Sequence, residues 1–231
     1  ITHDFKQEDF SSETLPDVNW MEKVYEAFQP FTVGPFYIRG SHHEGATPDE
    51  QIGLTIDAVT AFGSGDHGTT KGCLAALADL KGSGFCPWNV LDMGTGSGIL
   101  AIAAYKLWHT PVTAVDIEEE SIRVARIYRE LNQVPKGAKG GIFVHVGDGF
   151  HDDLVIERGP FDLIIANILA GPLIDMAKDA IAVLDENGTV ILSGMLNEQA
   201  DGVAAAYTAL GLTLKNRLDI GKWSTLVLRR A

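Results

Sequence analysis

"VLDMGTGSGILAIAAYK", residues 90–106, joins one apolar run to another through Gly94, Gly96 and Gly98. The first run has the length of a buried strand and the second that of a helix, so the glycines mark a strand-to-helix elbow. Such an elbow commonly faces a nucleotide, and three nucleotide chemistries compete for it. A phosphate-binding loop needs a Lys-Ser/Thr pair after its last glycine, whereas Ile99 and Leu100 follow here. A dinucleotide fingerprint needs glycine or alanine at position 99, where this chain has Ile99. The third chemistry is that of a nucleoside sulfonium, which has no phosphate to be met by a helix terminus.

Outward from the elbow the pattern is regular. "WNVLDM" is read as a strand and residues 97–108 as a helix. "PVTAVDI" is a strand, and 118–132 a helix with Ile122, Ala125 and Ile127 inward. "GIFVHVGDG" is a strand and turn, "FDLIIANI" a strand, about 171–184 a helix, "GTVILSGM" a strand and about 197–209 a helix. The close, "LTLKNRLDIGKWSTLVLRR", reads as an antiparallel pair turning at "DIGK". Strand–helix alternation with apolar strands implies a mostly parallel sheet covered on both faces, with ligands at the carboxyl ends of its strands. Upstream, residues 1–18 are polar and read as a tail or linker. From Asn19 a helix carries Trp20, Val24 and Phe28 on one face and ends at Pro30. "FYIRG" and "GLTIDAV" are short strands. "AFGSGDHGTTKGCLAALADL" is a glycine-broken loop feeding a helix whose buried stripe is Cys73, Leu74 and Leu77.

Acids close three successive strands: Asp92 before the elbow, Asp116 in "VTAVD" and Asp148 in "VGDG". S-adenosylmethionine offers groups to match. Asp92 suits its cationic side, Asp116 the two ribose hydroxyls and Asp148 the adenine amino group. Bare glycines admit its methionine part without side-chain clash. Asp116 alone does not discriminate, because nicotinamide enzymes use the same device; Asp148 between glycines also suits a plain turn. Ile117, next to Asp116, joins Gly94 and Gly96 in the expected cofactor-binding set. The fourth strand ends at Asn167, whose side-chain carbonyl suits an incoming amine. The following Ile168-Leu169-Ala170 lacks the two prolines and the aromatic that enzymes methylating planar bases carry there.

The chain has 231 residues, 45% hydrophobic content, 8% aromatics and a formal net charge of −13. That length allows one sizeable core, or one core with an appendage. The acidity argues against a dedicated nucleic-acid binder and is compatible with a basic partner such as a ribosomal protein. The apolar stretches are too short to cross a bilayer. Cys73 and Cys86 show no metal-ligand spacing and read as reduced, buried thiols of a cytoplasmic protein. No metal is expected.

"AFGSGDHGTTKGCLAAL", "LDMGTGSGILAIAAYKL" and "ANILAGPL" together resemble the bacterial methyltransferases of large-ribosomal-subunit protein eleven, the PrmA family. "NWMEKVYEAFQPFTVG" and "LSGMLNEQADGV" are similar to that family too, so the likeness spans roughly residues 15–230. The resemblance implies an α/β fold, Rossmann-like and doubly wound. Its sheet would be mostly parallel and seven-stranded, with a C-terminal antiparallel strand, after a short helical/β linker region. It implies a monomeric, S-adenosylmethionine-dependent enzyme that methylates lysine ε-amines and the N-terminal α-amine of that ribosomal protein, with no direct role for nucleic acid or membrane. By position, Thr70, Gly94, Asp116 and Asn167 would bind the cofactor, and Asn167 would also serve catalysis. Phe62, Gly63 and Thr69 would belong to a loop closing over the methionine end. Thr69 and Thr70 also suit a helix N-cap. His67 is the nearest candidate base, though a loop histidine is more often a hydrogen-bonded structural element.

Gly68 stands where the family often has proline. Residues 61–231 are expected to form the catalytic domain, and 1–60 a linker and the remnant of an N-terminal region, the family's small substrate-recognition domain being missing. Two rivals remain open: a methyltransferase of another protein or small amine, and a non-catalytic module that keeps the cofactor fold. An NAD-dependent oxidoreductase is disfavoured by Ile99.

Overall fold

The structure, a computed structural model, describes residues 29–57, 67–137 and 140–230. The tail, the helix expected from Asn19, and the loop residues Phe62 and Gly63 lie outside the described residues.

Seven strands form the main sheet, in the order β6-β5-β4-β7-β8-β10-β9. They are β4 (Val90–Met93), β5 (Val112–Asp116), β6 (Ile142–Val146), β7 (Phe161–Asn167), β8 (Leu184–Leu196), β9 (Leu212–Ile220) and β10 (Trp223–Arg230). The first five pair in parallel. β10 runs antiparallel to both β8 and β9, so the doubly wound sheet with an antiparallel close is as expected. The order reverses between β4 and β7, which opens a crevice at their carboxyl ends.

Side chains alternate across each strand and so divide the core in two. Val90, Leu163, Ile165 and Ile191 face a layer containing α1 (Gly68–Gly82), α2 (Ile99–Trp108) and α3 (Glu119–Leu131). Leu91, Ile164, Ala166 and Leu192 face the other layer. That layer holds α4 (Asp153–Arg158), α5 (Ala170–Asp175), α6 (Ala177–Ala182) and α7 (Ala200–Thr208).

A second sheet precedes these elements: β1 (Phe31–Val33), β2 (Phe36–Arg39) and β3 (Ile52–Thr55), with β1–β2 antiparallel and β2–β3 parallel. Its Phe36, Ile38 and Leu54, with Ile56 just beyond β3, are fully buried in one cluster with Cys73, Leu74 and Leu77 of α1. A polar clasp adds to this. Asn132, at the end of α3, accepts from the Thr55 N–H at 2.9 Å and donates to the Thr55 carbonyl at 2.8 Å.

Four expectations need correction. The single helix over 171–184 is two short ones, α5 and α6, broken at Met176 (φ −90°, ψ 7°), and β8 already begins at Leu184. Ile127 is 42% exposed, while Val124 and Tyr128 are buried. Five residues on from Ile122, it lies about 140° round the helix, off the inward face. Cys86 is exposed, in the connection leading into β4; only Cys73 is buried. The N-cap of α1 is His67; Thr69 and Thr70 fall inside its first turn. β1 and α4 were not expected at all.

Candidate functional site

β4, β5, β6 and β7 run in one direction, so Met93, Asp116, Val146 and Asn167 end on the same edge of the sheet. The elbow starts there. Gly94, Gly96 and Gly98 all take left-handed φ, at 72°, 52° and 81°. An L-residue pays about 1–2 kcal/mol at each such position, which is why glycines alternate here. The N–H groups of Gly94 and Thr95 both donate to the Val115 carbonyl, at 2.8 and 2.9 Å, which pins the elbow to β5.

The carboxylates are built into this turn. One oxygen of Asp116 accepts from the Gly96 N–H at 2.8 Å, the other from the Glu118 N–H at 3.0 Å. Asp116 is only 8% exposed. Its oxygens keep lone pairs for further donors. Asp92 lies beneath the elbow. Its Oδ2 accepts from the Thr95 hydroxyl at 2.6 Å and the Ala101 N–H at 3.0 Å. Its Oδ1 is buried and has no partner among the described residues. Burial pushes the Asp92 carboxyl up to about 7; Thr95 and Ala101 pull against that, and the Asp116 charge adds to it.

Asn167 ends β7, half-buried, and its amide donates to the Thr70 hydroxyl over 3.5 Å. Thr70 is fully buried in the first turn of α1. Thr69 accompanies it, its hydroxyl 2.9 Å from the His67 ring nitrogen. The His67 ring rests on Trp223, centroids 4.6 Å apart. Ile168 closes the gap between β7 and the elbow. A Cβ on Gly94 would come 2.3 Å from its Cγ2, and one on Gly194 would come 2.2 Å from its carbonyl oxygen.

Asp148 is exposed, two residues past β6. The Gly147 N–H donates to the Asp116 carbonyl at 3.0 Å, so the turn bearing Asp148 is tied beside Asp116. Ile117 and Val146 offer exposed apolar side chains at the same edge, 63% and 41% accessible. The structure thus joins Asp92, Gly94, Gly96 and Asp116 through the elbow and Thr70 to Asn167 directly, and leaves Ile117 and Asp148 open at the rim. Thr95 and Ile168 were missed by sequence reasoning. Thr95 stood inside the glycine run, and Ile168 inside "ANILAGPL", where a bulky residue opposite glycine was the available signal.

The sequence pattern of the family described as ribosomal protein L11 methyltransferase (PrmA) matches residues 1–231. The chain belongs to that family. It is 46% identical over 218 residues to the ribosomal protein L11 methyltransferase of Rhizobium meliloti (strain 1021), a match covering 94% of this chain and 73% of that protein. With the Sinorhizobium fredii protein of the same name, identity is 43% over 232 residues, covering 100% of this chain and 77% of the other. Among solved structures, the ribosomal protein L11 methylase of Lactobacillus delbrueckii subsp. bulgaricus superposes with a TM-score of 0.75 at 29% identity, covering 88% of this chain and 100% of that one. In this PrmA-family chain, no described helix is long and apolar enough to cross a membrane.

Proposed function

We propose that this chain transfers methyl groups from S-adenosylmethionine to large-ribosomal-subunit protein eleven, at lysine ε-amines and the N-terminal α-amine. Family membership supports the substrate. The observation that carries the site is the packing of Ile168 against Gly94, because it sets Asn167 beside the glycine elbow.

The residues present fit the cofactor. Asp92 Oδ1 is a buried carboxylate oxygen without a donor among the described residues, suited to a ligand with a cationic end. Asp116 has spare acceptor capacity for ribose hydroxyls, and Ile117 and Val146 are exposed apolar flanks for a planar base beside Asp148. Gly94, Gly96 and the Thr69–Thr70 turn would line the methionine end, with Phe62 and Gly63 in the loop before it. When bound, the cofactor supplies both electrophilic methyl and leaving group, so the protein's task is alignment. Asn167 orients the amine through its side-chain carbonyl, its N–H directed at Thr70. A neutral amide suits this role. The nucleophile must shed a proton held with a pKa of about 10.4 in a free lysine and about 7.7–8.0 in an α-amine, and a carboxylate would stabilise the ammonium instead. His67 serves Thr69 as a hydrogen-bond partner in this reading, rather than acting as the base.

We further propose that the chemistry is carried within residues 61–231, that the chain acts as a monomer on protein rather than nucleic acid, and that it works in the cytoplasm, where its substrate is made. The test is intact-mass and peptide mass spectrometry of protein eleven, taken from cells lacking the enzyme and incubated with this protein and cofactor. Gains of 14 Da steps at lysines and the N-terminus, about one CH2 each, are expected. An unchanged mass overturns the assignment.

A further inference from the structure

We propose that the buried hydroxyls of Ser193 and Thr225 are positioning residues for this methyl transfer, holding the first turn of α1 so that Thr70 stays at Asn167. The inference rests on the proposed function for its kinetic consequence, but its geometry is independent of the substrate.

Ser193 lies in β8 directly beside Asn167, its register partner in β7. Its side chain turns towards α1 and β10. The Ser193 Oγ is 2.8 Å from the Thr225 Oγ1, 3.0 Å from the Ser224 carbonyl and 3.4 Å from the Thr69 carbonyl. Each hydroxyl has one proton. Thr225 can donate to Ser193, which then directs its own proton at one of the two carbonyls. Ser193 is fully inaccessible and Thr225 is 1% exposed. One side chain therefore touches α1 next to Thr70 while its backbone runs alongside Asn167.

The helix face in contact confirms how close the approach is. A Cβ on Gly72 would stand 2.1 Å from the Thr225 Oγ1, and one on Gly68 would stand 3.0 Å from Trp223 and 3.1 Å from the Ile220 carbonyl. Gly68 and Gly72 are four apart and share a face. The antiparallel pair β9–β10 therefore forms the seat on which the catalytic end of α1 rests. For cohesion alone, two apolar groups of the same shape would serve as well as a buried hydroxyl pair. What the hydroxyls add is direction: they link β8 to β10 and set the Ser193 Oγ between the Ser224 carbonyl and, 3.4 Å away, the Thr69 carbonyl in the first turn of α1.

The experiment uses the full chain with S193A, T225V and the double variant S193A/T225V. T225S keeps the hydroxyl. V203A, a buried position in α7 on the other side of the sheet, is the control for lost stability alone. Turnover on protein eleven, cofactor Kd and Tm are measured for each, below the lowest Tm. The double variant should lose about 10-fold in kcat, with cofactor Kd changed by less than about 3-fold. T225S should recover most of that loss, and V203A should keep its kcat at a comparable Tm. A double variant with wild-type kcat, or one no slower than V203A, overturns the proposal. A second readout needs no turnover: the Asn167 side-chain NH2 resonance, assigned by its loss in N167A, should shift in the double variant and stay in V203A. If the wild-type protein fails to methylate protein eleven, the functional assignment falls, while an unmoved Asn167 resonance would separately remove the positioning role.

Discussion

The side-chain nitrogen of Asn167 lies 3.5 Å from the Thr70 hydroxyl, across 97 residues of chain. One group ends a central strand; the other sits inside the first turn of a helix that packs over β7, β8 and β10. Thr70 accepts from the amide nitrogen, which leaves the amide oxygen outside this pair; in the proposed reaction that oxygen meets the amine.

Asn167→Ala should therefore lower kcat by about 10–100-fold while leaving cofactor affinity within a few-fold. Steady-state methylation and calorimetry separate the two quantities. A weakened cofactor affinity with kcat unchanged would make Asn167 a cofactor ligand only.

Asp116→Ala removes the acceptor for two backbone N–H groups, those of Gly96 and Glu118. Leaving them unmatched costs about 1–3 kcal/mol, visible as a lower Tm. Cofactor binding should weaken by at least about 10-fold, or about 1.4 kcal/mol, in calorimetry. Unchanged affinity would exclude Asp116 from the ribose site.

Asp92 gives a pH-dependence of definite sign. An unfolded aspartate titrates near about 3.9, and the buried one is pushed up to about 7. Between these values the folded chain holds a proton that the unfolded chain has lost, so this group's contribution to stability falls as pH rises from about 4 to about 7. Asp92→Asn abolishes that titration and keeps an acceptor for Thr95 and Ala101. The variant should gain in Tm relative to wild type as pH rises over this interval, and it should bind cofactor less tightly because the amide has no charge to offer a cation. A Tm difference that stays constant from pH 4 to 8 would contradict the raised value.

Gly94→Ala imposes two costs. Its φ of 72° is a left-handed conformation, about 1–2 kcal/mol for an L-residue. The new methyl would also displace Ile168, 2.3 Å away. Denaturant unfolding should show a loss above the conformational cost alone, and kcat should fall because Asn167 moves with Ile168. Wild-type stability and rate together would mean that Ile168 swings aside freely.

The parallel strands were legible because each is a short, continuous apolar run between breakers, as in "VLDM" before Gly94 and "VTAVD" after Pro111. The candidate acids stood out because they lie at or near the ends of those runs: Asp92 is next to last in β4, Asp116 last in β5 and Asp148 two residues past β6. β1 and α4 escaped because three and six residues are too few to express a period. The break at Met176 left no glycine or proline at the junction itself. The dual engagement of Asp116 by Gly96 and Glu118 was hidden for a different reason: a carboxylate at a strand end looks the same in sequence whether it awaits a ligand or already accepts from the backbone. The meeting of Ile168 with Gly94 depended on which strands are neighbours.

The small sheet at residues 31–55 bears on how this protein can be shortened. Phe36, Ile38, Leu54 and Ile56 are walled in by Cys73, Leu74 and Leu77. A fragment cut at residue 61 would keep every acid and glycine of the elbow, yet lay bare a greasy flank of α1 and invite clumping. Trimming for fusion or crystallisation belongs upstream of Phe31.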